Sequence, residues 1–144
     1  MSDCLSCAIG DSLSAFARGL DRGDAEAVVA LFTPDAVYDN GRSRLAGQAE
    51  LERWIRERGA AGERTTRHMW SSLQLTPSTD DPDVVAATST WVCYAANAPA
   101  PVDAVKVWSV ADFEDVFRRD GDRWLVAERR IRTLFRDPSV APPK

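Results

Sequence analysis

Apolar residues recur along this chain with two different periods, and the change from one to the other divides it into a helical first part and a sheet-forming second part. Leu13, Phe16, Ala17 and Leu20 keep the spacing of one buried helical stripe. They predict a helix from Asp11 to Arg22, capped by Asp11 or Ser12 and stopped by Gly23. A second helix follows at once, capped by Asp24, with Val28, Leu31 and Phe32 inward and Pro34 ending it. Ala36 to Asn40 reads as a short strand, and Gly41 to Gly47 as a loop holding Arg42 and Arg44. Gln48 to Arg58 forms a third amphipathic helix, with Leu51, Trp54 and Ile55 on one side and Gly59 after its end.

Beyond it the period shortens to two. Strands are predicted from Arg64 to Leu75 and from Val84 to Ala95, separated by the acidic turn region Thr76 to Asp83. Asn97 to Pro101 then leads into a long hairpin between Val105 and Phe135. β-Branched and aromatic residues dominate both arms, and Asp120-Gly121 supplies the positive φ angles of a tight turn. Apolar parity slips near Asp112 and again near Glu128, which predicts at least one bulge and a bent sheet. Helices grouped before consecutive antiparallel strands indicate an α+β domain with its helices on one sheet face, and a pocket between them if the sheet curls. One domain is expected over residues 10–135, between a flexible N-terminal tail (1–9) and a flexible, Pro-rich tail (136–144).

The composition narrows the function. A length of 144 residues suits one domain with a true core, and 44% hydrophobic with 28% charged residues is an ordinary globular balance. A formal charge of −4 leaves no basic footprint for nucleic acid. No apolar run reaches the roughly 20 residues of a membrane span, so no membrane partner is expected and a cytoplasmic location is. The arginines of the third helix, with Arg64 and Arg67, alternate with Glu50, Glu52, Glu57 and Glu63 in the manner of a solvated face. Three cysteines make no disulfide framework, and Cys4-x-x-Cys7 has no preceding strand that would make it a redox motif. A zinc site there would need two further ligands, with only Cys93 and His68 left beside carboxylates. No metal or cofactor is therefore expected.

Candidate chemistry centres on His68, the single histidine. Alternation puts Thr66, His68, Trp70 and Ser72 on one face of their strand. Such a face suits either a pocket wall or a structural hydrogen bond. Asp39, between Tyr38 and Asn40, is either the carboxylate that sets the imidazole tautomer or a residue of simple turn chemistry. Trp54, Trp70, Trp91 and Trp108 are candidate walls for a flat ligand, or core. Asp112 and Glu114 are candidate polar cavity residues of the hairpin.

Three runs resemble SnoaL-like domains of the nuclear-transport-factor-2-like superfamily: Asp21 to Tyr38, Arg64-Thr-Thr-Arg-His68, and Phe113 to Trp124. The resemblance covers residues 10–135. It implies a cone-shaped roll: three N-terminal helices on a strongly curved, mostly antiparallel sheet that encloses a pocket. It further implies a homodimer joined through the sheet. Within the superfamily the active site is similar to that of scytalone dehydratase, which places His68 and Asp39 in catalytic roles. That enzyme's second histidine has no counterpart in Trp91 to Ala95, where Tyr94 offers a phenol instead. Tyr38 and Asn40 also resemble the water-holding pair of limonene-epoxide hydrolase, whose arginine-x-aspartate is missing between Val84 and Ala95. The resemblance thus implies a cofactor-independent dehydratase, isomerase or cyclase acting on a small apolar carbonyl-containing metabolite, of the polyketide or terpenoid kind. The alternatives are a non-catalytic binding module and an epoxide hydrolase.

Overall fold

A computed structural model describes residues 4–60 and 62–143. The apolar stripe of the first helix decides where the helix begins. Helix α1 spans Leu5–Arg22, because Ile9 extends the stripe one turn upstream and is fully buried with Leu13 and Phe16. The helix therefore starts well before Asp11, and the flexible tail expected there is replaced by ordered structure from Cys4 on; residues 1–3 lie outside the described residues. Cys4 is the cap, its sulfur accepting the Cys7 N–H at 3.2 Å, and the two cysteines are joined as a disulfide. At the other end Gly23 takes φ 68°, and the Asp24 N–H returns to the Gly19 carbonyl at 2.9 Å. This left-handed closure suits a residue without a Cβ.

Helix α2 is shorter than its pattern suggests. It covers Ala25–Val29, capped by Asp24, whose carboxylate accepts the Ala27 N–H at 3.1 Å. Phe32 and Pro34 belong instead to strand β1, Phe32–Asp39. The reason is a distant partner. Val126 donates to the Leu31 carbonyl at 2.9 Å, and β1 runs parallel to the last strand. Pro34, with no N–H to give, sits where that register shifts between Phe32 and Val37. The expected loop after β1 contains a further short strand, β2 at Arg44–Ala46, which pairs Leu45 with Tyr38. Helix α3 follows at Gln48–Ala60.

Strands β3 (Thr65–Pro77), β4 (Val84–Ala96), β5 (Val107–Asp120) and β6 (Arg123–Arg136) complete a six-stranded mixed sheet of order β2-β1-β6-β5-β4-β3. Two register shifts interrupt the β5–β6 hairpin, beside Ala111 and beside Glu128, where parity slips in the sequence. A third breaks β3 between Ser71 and Gln74, with Ser72 at φ 57°. Such bulges bend the sheet, and the three helices pack on its inner face. Phe16 of α1 lies at the centre of this core, edge-on to Phe32, Trp91 and Phe113. The C-terminal segment is packed rather than loose. Pro138–Val140 forms a single 3-10 turn with Val140 buried, and Asn97 donates to the Ala141 carbonyl at 2.8 Å; Lys144 lies outside the described residues. No helix among the described residues is long and apolar enough to cross a membrane.

Candidate active site

The bent sheet, α3 and the C-terminal segment enclose a cavity of about 550 Å³, a size that suits a small organic ligand. Its walls come from α3 (Trp54, Glu57, Arg58), β1 (Tyr38), the β1–β2 turn (Asn40, Arg42), β3 (His68), β4 (Trp91, Cys93) and the far ends of β5 and β6.

His68 is positioned by alternation on β3, which turns Thr66, His68 and Trp70 inward while Arg67 and Met69 face out, Met69 half exposed. Its acidic partner is Asp21, in the last turn of α1. The His68 Nδ1–H donates to Asp21 Oδ1 at 2.6 Å, the His68 main-chain N–H to Oδ2 at 3.0 Å, and the Thr66 hydroxyl to Oδ1 at 2.9 Å. Three donors hold the carboxylate still. They assign the imidazole proton to Nδ1 and leave the Nε2 lone pair for the cavity.

The electrostatics agree with that assignment. Burial raises the Asp21 carboxyl, but the hydrogen bond and the charge of His68 outweigh it and bring it below the usual carboxylate range. Burial pulls His68 down, Asp21 pulls it up less strongly, and Arg58 adds to the fall, so the ring sits below its ordinary value. Both directions describe a neutral imidazole bonded to an ionised carboxylate at neutral pH.

Asp39 does not take part. On β1 the buried Tyr38 faces inward, so its neighbour Asp39 turns away from the cavity, where its carboxylate accepts the Gly41 N–H at 2.9 Å. This is the turn chemistry of an aspartate after a strand. Tyr38 itself lines the cavity with its ring 5.4 Å from Trp54, and burial raises its phenol to about 12, which keeps it a proton donor. Asn40 also lines it, but its side-chain carbonyl is occupied by the N–H groups of Arg42 and Ser43 at 3.0 and 2.8 Å. Trp54, Trp91 and Trp108 are walls, and Trp91 stacks on Phe113 at 4.3 Å.

Trp70 is not a wall. It shares the inward face with His68 but lies beneath α1, its Nε1–H donating to Ser14 at 3.1 Å and its ring against Gly10. Ser72 leaves that face at the bulge. Tyr94 falls on the other side of β4 from Trp91 and Cys93, away from the cavity, and so cannot stand in for a second histidine. Asp112 and Glu114 likewise project from the outer face of β5, Asp112 pairing with Arg132 at 3.2 Å.

The residues that the sequence pattern did not single out are polar. Besides Asp21 they include Arg42, Arg58 and Arg136 at the cavity mouth and Cys93 beside His68, whose thiol burial raises to about 11. Beneath the cavity Asp115 of β5 and Arg129 of β6 form a buried pair with bonds of 2.8 and 3.0 Å, the guanidinium 4.4 Å from the Phe16 ring centre. Burial raises Asp115, and Arg129 only partly offsets it. Among the described residues no three His, Cys, Asp or Glu side chains gather as a metal site would require.

Solved structures with the same fold include ActVI-ORFA from Streptomyces coelicolor, at TM-score 0.79 and 19% identity over 90% of this chain and 98% of that one. A putative scytalone dehydratase from Novosphingobium aromaticivorans is similar at TM-score 0.76 and 16% identity, over 95% and 91% of the two chains. So is a Catenulispora acidiphila protein in complex with S-DNPA, at 0.76 and 24%, over 90% and 92%. No protein of curated function matches in sequence. The SnoaL-like domain family, in contrast, matches residues 6–130, which takes in α1 with Asp21, the His68 strand and most of the hairpin. By that match and by its α+β architecture, this chain belongs to the SnoaL-like domain family.

Proposed function

We propose that the protein is a cofactor-independent acid–base enzyme, of the dehydratase, isomerase or cyclase type, acting on a small and largely apolar carbonyl compound. The observation that carries this reading is the His68–Asp21 pair at 2.6 Å, which leaves a neutral Nε2 for an aromatic-walled cavity. In the proposed step Nε2 takes the proton next to the substrate carbonyl, and Asp21 stabilises the imidazolium that forms. The Tyr38 phenol is the donor available to the developing enolate oxygen. The imidazolium then returns its proton to a leaving hydroxyl, giving water and a double bond, or to another carbon, giving an isomer. An enolate that instead attacks a second carbonyl closes a ring. Scytalone dehydratase-like and ActVI-ORFA structures among those of like fold support the class, and a relative holding a small molecule supports the cavity as a binding site.

Proton exchange tests the reading without the natural substrate. In D2O the wild-type protein is expected to accelerate loss of the α-protons of a bicyclic ketone such as 2-tetralone, followed by NMR. His68→Ala should lower that rate by about 10²–10⁴-fold, the usual contribution of a positioned base. Exchange at equal rates in the two proteins would overturn the proposal. It would select the competing reading, a module that holds the same ligand unchanged, which the lack of a second histidine favours.

A further inference from the structure

The mouth of the cavity carries a charge that the acid–base step does not use. Arg42 from the β1–β2 turn, Arg58 from α3 and Arg136 from the end of β6 line it, with Glu57 as the only lining carboxylate among the described residues. The chain as a whole is acidic, with a formal charge of −4. Some of its arginines have carboxylate partners: Arg56 with Glu52, Arg132 with Asp112, Arg129 with Asp115. Among the described residues, no carboxylate lies within 4.0 Å of the guanidinium of Arg42, Arg58, Arg64 or Arg136. Arg136 makes one long hydrogen bond, to Thr133 at 3.4 Å.

Three of these four arginines gather around one indole. The guanidiniums of Arg42, Arg64 and Arg136 lie 5.8, 5.8 and 5.4 Å from the centre of Trp108. Arg64 donates to Asn97 at 2.6 Å, and its Nε and second Nη are buried with no partner. Burial lowers both Arg64 and Arg136 from their ordinary range, and Arg42 lowers Arg136 further. Cation–π attraction holds each group near the ring, but it cancels none of the repulsion between them. An anion at the mouth would.

We propose that the substrate bears a carboxylate, bound at the mouth by Arg42 and Arg136 beside Trp108, with its apolar carbonyl-bearing part inward toward Trp54, Tyr38 and His68. This rests on the cavity being the substrate site. It adds a polar anchor at a fixed distance from the base, and planar guanidiniums match a carboxylate in shape as well as charge. The anchor thus sets which end of the substrate meets His68.

Binding of matched probes tests it, with the intrinsic tryptophan fluorescence as readout. For the wild type at about 20 mM salt, 2-naphthoate is expected to bind about tenfold tighter than its uncharged isostere 2-acetonaphthone, and the gap should shrink by about 0.5 M salt. The R42Q/R136Q protein should lose that gap while its affinity for 2-acetonaphthone stays within about twofold. Equal affinities in the wild type, or a gap that survives the double substitution, overturn the anchor and leave the exchange chemistry of His68 standing. Loss of both ligands in a double variant with a native circular dichroism spectrum also overturns it, because the arginines would then shape the cavity. Tighter binding of 2-naphthyl phosphate by about tenfold would replace the carboxylate with a phosphate. Binding of no probe by the wild type would remove the cavity as a substrate site altogether.

Discussion

At His68 two influences oppose one another, and the geometry decides between them. Burial removes water from the imidazolium, Asp21 offers it a countercharge, and burial prevails, so the ring loses its proton below its ordinary value. A base must start unprotonated. The exchange rate should therefore fall on the acid side with a midpoint below about 6.5. Titration of this one histidine by NMR checks it directly, and a midpoint above that value would mean the carboxylate prevails. Asp21→Asn removes the countercharge, so it should move the acid limb to still lower pH while lowering the plateau. The same shifts bear on stability. The unfolded chain takes up protons at His68 and Asp21 more readily than the folded one, so stability is lost as pH falls, first below about 6.5 and then through the carboxylate range. Arg129 offers a sharper test of buried charge. Arg129→Ala removes a guanidinium packed on Phe16, Phe32 and Phe113 and leaves the buried Asp115 unpaired, which should cost about 3–5 kcal/mol in denaturant unfolding. Replacing both partners by apolar residues should cost far less.

Among the elements, α1 carries the greatest structural demand, because it supplies Asp21 and also covers β3. Its junction with α2 is tight: a Cβ on Gly19 would stand 2.5 Å from Cγ2 of the buried Val28. Gly19→Ala improves helix propensity by about 1 kcal/mol but overpacks this contact, at a cost of about 1–3 kcal/mol. A net loss in melting temperature is expected, with Asp21 displaced and ketone exchange slowed along with it. Gly59→Ala in α3 is the control. Nothing lies within 4 Å of a Cβ there, so the propensity gain is unopposed and the melting temperature should hold or rise. A loss at both positions of equal size would show that helix context, and not the Val28 contact, governs the outcome.

On the whole molecule, the outer sheet face carries exposed apolar side chains. Register sets Met69, Val92, Val110 and Phe135 in one row across β3, β4, β5 and β6, and Met69 and Phe135 are 53% and 69% exposed. An apolar row of this kind on a bent sheet suits a self-complementary contact between two copies. The protein is expected to be a homodimer by light scattering at micromolar concentration, and Met69→Asp with Phe135→Asp should make it a monomer. A wild-type monomer under those conditions would assign the row another role.

Much of this architecture could be read from neighbours along the chain. The stripe of Leu13, Phe16, Ala17 and Leu20, the stop at Gly23, the hairpin turn at Gly121 and both hairpin bulges follow from local periodicity and backbone freedom. The inward direction of His68 follows from the alternation of a single strand. Ile9 continues the same stripe one turn back, toward the true start of α1. The rest depends on partners that local pattern does not name. The parallel pairing of β1 with β6 joins segments far apart in the chain and draws Phe32 and Pro34 out of a helix and into a strand. Asp39 stands beside a turn, and strand parity directs it away from His68 to the Gly41 N–H. Asp21, 47 residues from His68, reaches it only because α1 crosses the inner face of β3. The arginines of the mouth, spread over a turn, a helix and the end of β6, line one cavity only when the sheet bends. Periodicity constrains which way a side chain faces; only the packing of distant elements decides what it meets there.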